Sequence, residues 1–355
     1  MEKNYLLWLS LISGIGPKRS KTLLKYFKTA ENIYKANKNE LKIIEGIGNN
    51  FLEKISEAKK IDINKKLEIL HKLNIDFYTK DDDEYPELLK EIDDPPLILY
   101  KKGTIPKLPM VSVVGSRLAS TYGHKIAFEL SKILSENKIC IVSGMARGID
   151  TKAHLGALEG NSPTIAVLAS GLDICYPSEN RNLYEEICKN GCVISEHFPG
   201  IRPLERHFPM RNRIISGLSK AIVVVEASEK SGSLITVKQA NEQGRDVYAV
   251  PGNINNKLSA GTNKLIRDGA RILTNPMDII EDMNMVFKPI KIEKNKPDLT
   301  NEEFKIYDLI SIEELTAEII AERLNETYQN IQYHLTLLEL KGAAERLVGG
   351  RYTAL

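Results

Sequence analysis

Between residues 110 and 273, short apolar runs alternate with longer segments whose apolar residues fall at helical spacing. The runs are Met110–Val114, Ile139–Ser143, Thr164–Ala169, Cys192–Ser195, Ala221–Glu226, Asp246–Val250 and Arg271–Leu273. They are rich in Val and Ile without strict alternation, as in strands buried on both faces. The pattern predicts an α/β fold: a doubly wound, mostly parallel sheet with helices on either side. In such a core the ligand site belongs at the carboxyl ends of the strands.

Before this stretch the pattern is helical. Leu6, Leu7, Leu23, Leu24 and Phe27, then Leu41, Ile44, Leu52 and Ile55, flank two similar turns, Ser13-Gly14-Ile15-Gly16-Pro17 and Glu45-Gly46-Ile47-Gly48-Asn49. Gly-hydrophobic-Gly between two helices resembles the helix-hairpin-helix element, whose glycines let backbone N–H groups approach a phosphate; a pair of tight turns in a helical bundle reads the same way. A polar connector follows, and Pro86, Pro95 and Pro96 set an extended approach to the sheet. After the core, residues 284–298 look like a linker. Three helices are then expected near 300–311, 313–323 and 327–341. Ala343–Leu347, Gly349-Gly350 and Arg351–Ala354 give a hairpin signal, so the tail reads as a winged helix. The expected domains are 1–62, 63–283 and 299–355.

Composition changes this picture little, but charge does. The chain is 42% hydrophobic and 27% charged, with a net charge of only +2. That balance hides an asymmetry: residues 1–60 carry 12 Lys/Arg against 6 Asp/Glu, whereas residues 298–355 carry 5 against 11. A polyanion should meet the front and middle, not the tail. No apolar run approaches the roughly 18 residues needed to span a bilayer. The start of the chain has no basic segment or small-residue cleavage site of the secretory kind. Cys140, Cys175, Cys188 and Cys192 read as buried, reduced thiols; Cys188 and Cys192 lack a second Cys/His pair at metal spacing. The expectation is a cytoplasmic protein with no membrane association.

The candidate chemistry sits where strands end. After the first strand comes Gly115-Ser116-Arg117, which offers close backbone approach, a hydroxyl and a fork of N–H donors. The next loops carry Gly144 and Arg147, then Ser170 and Gly171. Phe208, Arg211, Asn212 and Arg213 open a helix, Ser231 and Gly232 precede another, and Gly261-Thr262-Asn263-Lys264 starts a third. Basic side chains recurring at strand ends predict an anion-binding crevice lined by these residues. Phe208 and Tyr176 could offer stacking faces to unpaired bases, each worth about 1–3 kcal/mol. The Walker run Gly-x4-Gly-Lys-Ser/Thr is missing, as is Gly-x-Gly-x-x-Gly after the first strand. His124 and His154 read as helix residues, and no histidine is evident beside Ser143 or Ser231. No cofactor and no catalytic residues are expected.

Seven motifs in order resemble the DprA/Smf family of DNA-processing proteins. They are Gly115-Ser116-Arg117, the run at 143–150, Gly171-Leu172-Asp173 with Tyr176-Pro177, the run at 208–215, Ser231–Thr236, Val250-Pro251-Gly252 and Gly261–Ile266. The resemblance implies a Rossmann-like core carrying the DNA pocket and a self-association surface. It implies a recombination mediator of natural transformation that binds and protects incoming single-stranded DNA, displaces single-strand-binding protein and loads RecA recombinase. The pocket arginine so implied is Arg117, supported by Gly144, Ser170, Gly171, Phe208, Arg211, Arg213, Ser231 and Gly232.

Two other readings compete. A nucleotide-cleaving phosphoribohydrolase would need a Pro-Gly-Gly-x-Gly-Thr loop, whereas here Pro251-Gly252 and Gly261-Thr262 stand apart. A ligand-sensing regulator would read duplex DNA with the winged helix. The expected recognition helix, Tyr328–Leu335, has no Lys or Arg in an acidic tail, which suits a protein contact better than duplex phosphates.

Overall fold

The computed structural model describes residues 2–283, 299–347 and 349–354, and the chain forms two compact units. The first contains the described residues up to 283, the second those from 299. The expected linker, 284–298, lies outside the described residues.

Six helices open the first unit: α1 (Glu2–Ser10), α2 (Pro17–Phe27), α3 (Ala30–Lys35), α4 (Lys38–Lys42), α5 (Asn49–Ala58) and α6 (Ile63–Lys72). The two glycine turns have the same geometry. Gly14 and Gly46 both sit at φ +83°, and Gly16 and Gly48 are the N-caps of α2 and α5. Only glycine takes the left-handed position without strain. Trp8 is fully buried, and its indole N–H donates to Ala58 O at 2.8 Å, tying α1 to the end of α5.

Two short strands follow, β1 (Asp76–Tyr78) and β2 (Leu99–Gly103), separated by α7 (Glu87–Lys90). Then come the seven expected strands, two with the expected bounds and five shortened by one or two residues at one end: β3 (Met110–Val114), β4 (Cys140–Ser143), β5 (Thr164–Val167), β6 (Cys192–Ser195), β7 (Ala221–Val224), β8 (Asp246–Ala249) and β9 (Arg271–Ile272). Between and after them lie α8 (Thr121–Glu136), α9 (Ile149–Glu159), α10 (Arg181–Asn190), α11 (His207–Leu218), α12 (Ser233–Glu242), α13 (Ala260–Arg267) and α14 (Pro276–Asp282). The sheet order is β1-β2-β6-β5-β4-β3-β7-β8-β9. The pairs from β6 through β9 are parallel. The order reverses between β3 and β7, which defines the topological switch point.

The antiparallel strands β1 and β2 extend the sheet beyond β6, which the sequence pattern did not indicate. They are three and five residues long, and their pairing partners are distant in sequence. Leu7, Trp8, Leu23 and Ile55 of the helical layer share one apolar cluster with Tyr100 of β2, Val193 of β6 and Ile187 of α10. Two further clusters cover the faces of the sheet. Among the described residues no helix is long and apolar enough to cross a membrane.

In the second unit, α15 (Asn301–Ile312), α16 (Ala317–Leu324) and α17 (Tyr328–Leu340) pack with a sheet ordered β10 (Leu315–Thr316), β12 (Arg351–Ala354), β11 (Ala344–Arg346). Ile306, Ile320, Leu335 and Tyr352 are among its core residues. The middle helix starts at Ala317 rather than near 313. Leu315 and Thr316 pair with Tyr352 and Arg351 and so become the third strand of the winged-helix sheet.

Candidate nucleic-acid interface

The loops after β3 and β7 part at the switch point and open a crevice of about 700 Å³. Gly115 makes the turn possible, because a Cβ there would stand 2.6 Å from Ile149 Cγ1 and 2.9 Å from Glu226 O. The Ser116 N–H donates to Glu226 O at 2.7 Å, and the Ile149 N–H donates to Ser116 O at 3.2 Å. The loop is thereby pinned on both sides while Arg117 projects, exposed, into the opening. Its guanidinium lies 5.0 Å from the centre of the Phe208 ring, which in turn meets the half-exposed Tyr176 ring at 5.9 Å. Arginine, phenylalanine and tyrosine thus form a short row along one wall, with the two rings tilted by 56°.

The opposite wall is the start of α12. Ser231 and Ser233 share a hydroxyl–hydroxyl hydrogen bond of 2.8 Å, and the Ser233 N–H reaches Ser231 Oγ at 3.3 Å. Gly232 is the N-cap, and a Cβ there would meet nothing within 4 Å, so backbone and solvent are in contact. A helix start beside hydroxyls favours an anion.

Arg211 forms the floor. It is buried, and its guanidinium donates to Gly144 O at 2.6 Å and to Val167 O. Gly144 is the space it occupies, since a Cβ there would be 2.3 Å from Arg211 Nη1. Burial, partly offset by Asp150, lowers the Arg211 pKa to about 10. Burial also raises the Asp150 carboxyl above its ordinary range, against the opposing pull of Arg211. Asp150 Oδ2 accepts from the N–H groups of Gly144 and Ala146 at 3.1 and 3.3 Å. Arg211 and Asp150 therefore hold the ends of β4 and β5 in place beneath Arg117.

Of the residues expected to line the crevice, the structure brings together Gly115, Ser116, Arg117, Phe208, Arg211, Asn212, Ser231 and Gly232. The six others do not line this opening. Arg213 is buried on another face of α11, with Nε 3.2 Å from Asp94 and Nη2 bonded to Glu196. Arg147 points to solvent and pairs with Glu179, Nη2 to Oε2 at 3.1 Å. Gly144 lies beneath Arg211. Ser170 is buried and donates to Ile174 O at 3.0 Å; the Gly171 N–H donates to Ile201 O at 2.9 Å. Lys264 is exposed a turn into α13, whose start is fixed by contacts to other loops. The Gly261 N–H donates to Ala227 O at 2.8 Å, and the Asn263 amide clasps Gly252 through both its atoms.

Asp150, Ser228, Ser233 and Thr236 also line the crevice and were not singled out as site residues. Asp150 ends the Ser143–Asp150 run, and its placement between two backbone N–H groups has no sequence signal of its own. The carboxylate Glu205 also stands at the rim.

These features define a Rossmann-like α/β protein with a helix-hairpin-helix front and a winged-helix tail. The model of the DNA recombination-mediator protein A family matches residues 76–284. A SAM-like helix-hairpin-helix tandem matches 8–59 and the DprA winged helix domain matches 293–350. The chain belongs to the DprA/Smf family. It is 38% identical over 292 residues to protein Smf of Synechocystis, covering 80% of this chain and 73% of that one. It is 47% identical over 203 residues to DNA processing protein DprA of Streptococcus pneumoniae, covering 57% and 72%. The X-ray structure of DprA from Streptococcus pneumoniae superposes with a TM-score of 0.70 at 38% identity, covering 80% of this chain and 99% of that one. A structure described as giving the single-stranded DNA binding mode of DNA processing protein A from Helicobacter pylori matches with a TM-score of 0.53 at 29% identity, covering 59% and 95%.

Proposed function

We propose that this chain is a non-catalytic recombination mediator that grips single-stranded DNA in the crevice at the switch point. The observation that carries the reading is the exposed guanidinium of Arg117, held over the Phe208 ring and facing the hydroxyl-rich start of α12. A phosphodiester needs donors and positive charge; an unpaired base needs a flat apolar face. Both are presented within one opening, and the Helicobacter pylori relative is described as binding single-stranded DNA. The contacting residues on this reading are Gly115, Ser116, Arg117, Phe208, Asn212, Ser231 and Gly232, with Arg211 beneath them.

The family context extends this to protection of incoming DNA, displacement of single-strand-binding protein and loading of RecA recombinase during natural transformation in the cytoplasm. A homodimer through the Rossmann-like core belongs to the same reading. Asp150, the carboxylate at the crevice floor, is engaged by two backbone N–H groups and faces Arg211, which supports a scaffold rather than a hydrolytic role. The acidic tail is read as a protein-contact or regulatory module.

The test is an anisotropy titration of labelled oligo-dT and of its duplex counterpart against wild type and Arg117→Ala across a salt series. Tight single-strand binding with a log–log slope of about −0.7 per phosphate contact, weakened by the substitution, is the expected result. Equal affinity for duplex, or indifference to the loss of Arg117, would move the DNA site out of the crevice.

A further inference from the structure

The segment 196–206 carries the chain from the end of β6 to α11, and its surface is unexplained by the crevice alone. It is held at several points. Its Ile201 O accepts from the Gly171 N–H at 2.9 Å, and the Gly200 N–H donates to Asp173 Oδ1 at 2.8 Å. The His207 N–H donates to Leu204 O at 2.9 Å, and the Phe198 ring stands edge-on to Tyr100 at 5.8 Å. A loop tied down this well could turn its apolar side chains inward. Instead Ile201 and Leu204 are 42% and 43% exposed, and they alternate with the exposed Arg202 and Arg206. Neither arginine pairs with a carboxylate among the described residues.

The ends of this loop matter as much as its surface. At one end Glu205 and Phe208 line the crevice. At the other, the Lys66 ammonium of α6 lies 5.0 Å from the centre of the Phe198 ring. Guanidinium groups interleaved with exposed apolar side chains suit a ligand that alternates phosphates with flat, weakly polar bases.

We propose that the 198–206 loop is a second stretch of the nucleic-acid track, leading an unpaired strand out of the crevice toward the helical layer. Phosphates pass over Arg206 and Arg202, bases lie on Leu204 and Ile201, and Lys66 receives the strand at the far end. This rests on the crevice reading, and the experiment separates the two. Anisotropy titrations use a short oligo-dT of about six nucleotides and a longer one of about twenty, against wild type, Arg117→Ala and the Arg202→Ala/Arg206→Ala double variant. The double variant should bind the short strand as wild type does. It should bind the long strand about tenfold more weakly, with a salt slope shallower by about 1.4 for two lost phosphate contacts. The Arg202→Lys/Arg206→Lys variant should restore the slope. Both sites are exposed, and matching melting curves establish that the variants fold. An unchanged affinity and slope for the long strand overturns the track and leaves the loop to an acidic protein partner. If Arg117→Ala leaves the short strand's binding untouched, the crevice reading fails and the track falls with it.

Discussion

Arg117 and Phe208 come from segments far apart in sequence, one from the loop after β3 and the other from the start of α11, which follows β6. The guanidinium nevertheless lies 5.0 Å from the centre of the ring. Among the described residues Arg117 forms no ion pair, and the Phe208 ring meets Tyr176 at 5.9 Å with the two planes tilted by 56°. On the proposed reading the two residues have separable roles: one meets phosphate, the other a base.

Those roles are distinguished by salt. Phe208→Ala is expected to weaken oligo-dT binding by about 1–3 kcal/mol while leaving the salt slope unchanged. Arg117→Ala is expected to weaken binding and make the slope shallower by about 0.7. A double-mutant cycle measured by anisotropy should show a coupling of about 0.5–1 kcal/mol, the size of an exposed cation–π contact. Identical slopes for both single variants would contradict the division.

Arg213 supports the fold rather than the crevice, so its loss should register in stability. Its side chain is 5% exposed, and Glu196 beside it is 12% exposed. Arg213→Met strands the Glu196 carboxylate and is expected to cost about 3–5 kcal/mol in denaturant unfolding. Adding Glu196→Leu should recover part of that loss. Under conditions where the single variant is folded, its salt slope for oligo-dT should match wild type.

His154 predicts a pH dependence. The ring is fully buried and Nδ1 lies 2.8 Å from Thr164 Oγ1. Burial, reinforced by the positive charge of Arg211, lowers its pKa from 6.5 to about 3. Below pH 6.5 the unfolded chain takes up a proton that the folded protein refuses, so this group removes stability as pH falls toward about 3. The slope is up to about 1.4 kcal/mol per pH unit. His154→Leu, though less stable at neutral pH, should show a shallower acid dependence by that amount in denaturant titrations at pH values between 7 and 5. An unchanged dependence would mean the ring is already charged in the native protein.

Removing residues 298–355 should leave single-strand affinity within about tenfold of the full chain, because the tail carries 5 Lys/Arg against 11 Asp/Glu. The exposed positions of α17, among them Gln329, Tyr333, Thr336 and Leu340, include no Lys or Arg. A larger loss in anisotropy would place a DNA contact in the second unit.

The parallel strands were legible because Val and Ile runs such as Met110–Val114 have one stable use, burial on both faces. The loop Gly115-Ser116-Arg117 was legible because a glycine at a strand end has a geometric reason visible in sequence. The arginines were harder. Arg211 and Arg213 are two residues apart on α11, yet one lies beneath the crevice and the other is buried among acids. What separates them is Glu196 and Asp94, partners that only the folded chain brings within reach. Lys264 and Arg147 looked equivalent to Arg117 as basic residues near glycines. The difference lies in Asn263 clasping Gly252 and in Glu179 reaching Arg147. The strands β1 and β2 were too short for any periodicity to declare them.

The apolar cluster shared by Trp8, Leu23, Ile55, Tyr100 and Val193 makes the helical front inseparable from the sheet in a thermodynamic sense. Cutting the chain near residue 62 would bare Tyr100 and the neighbouring end of the sheet to water. Recombining this front with another core would require a matching apolar socket. Heat should therefore melt residues 2–283 in a single calorimetric transition, with the front's unfolding enthalpy merged into that of the core.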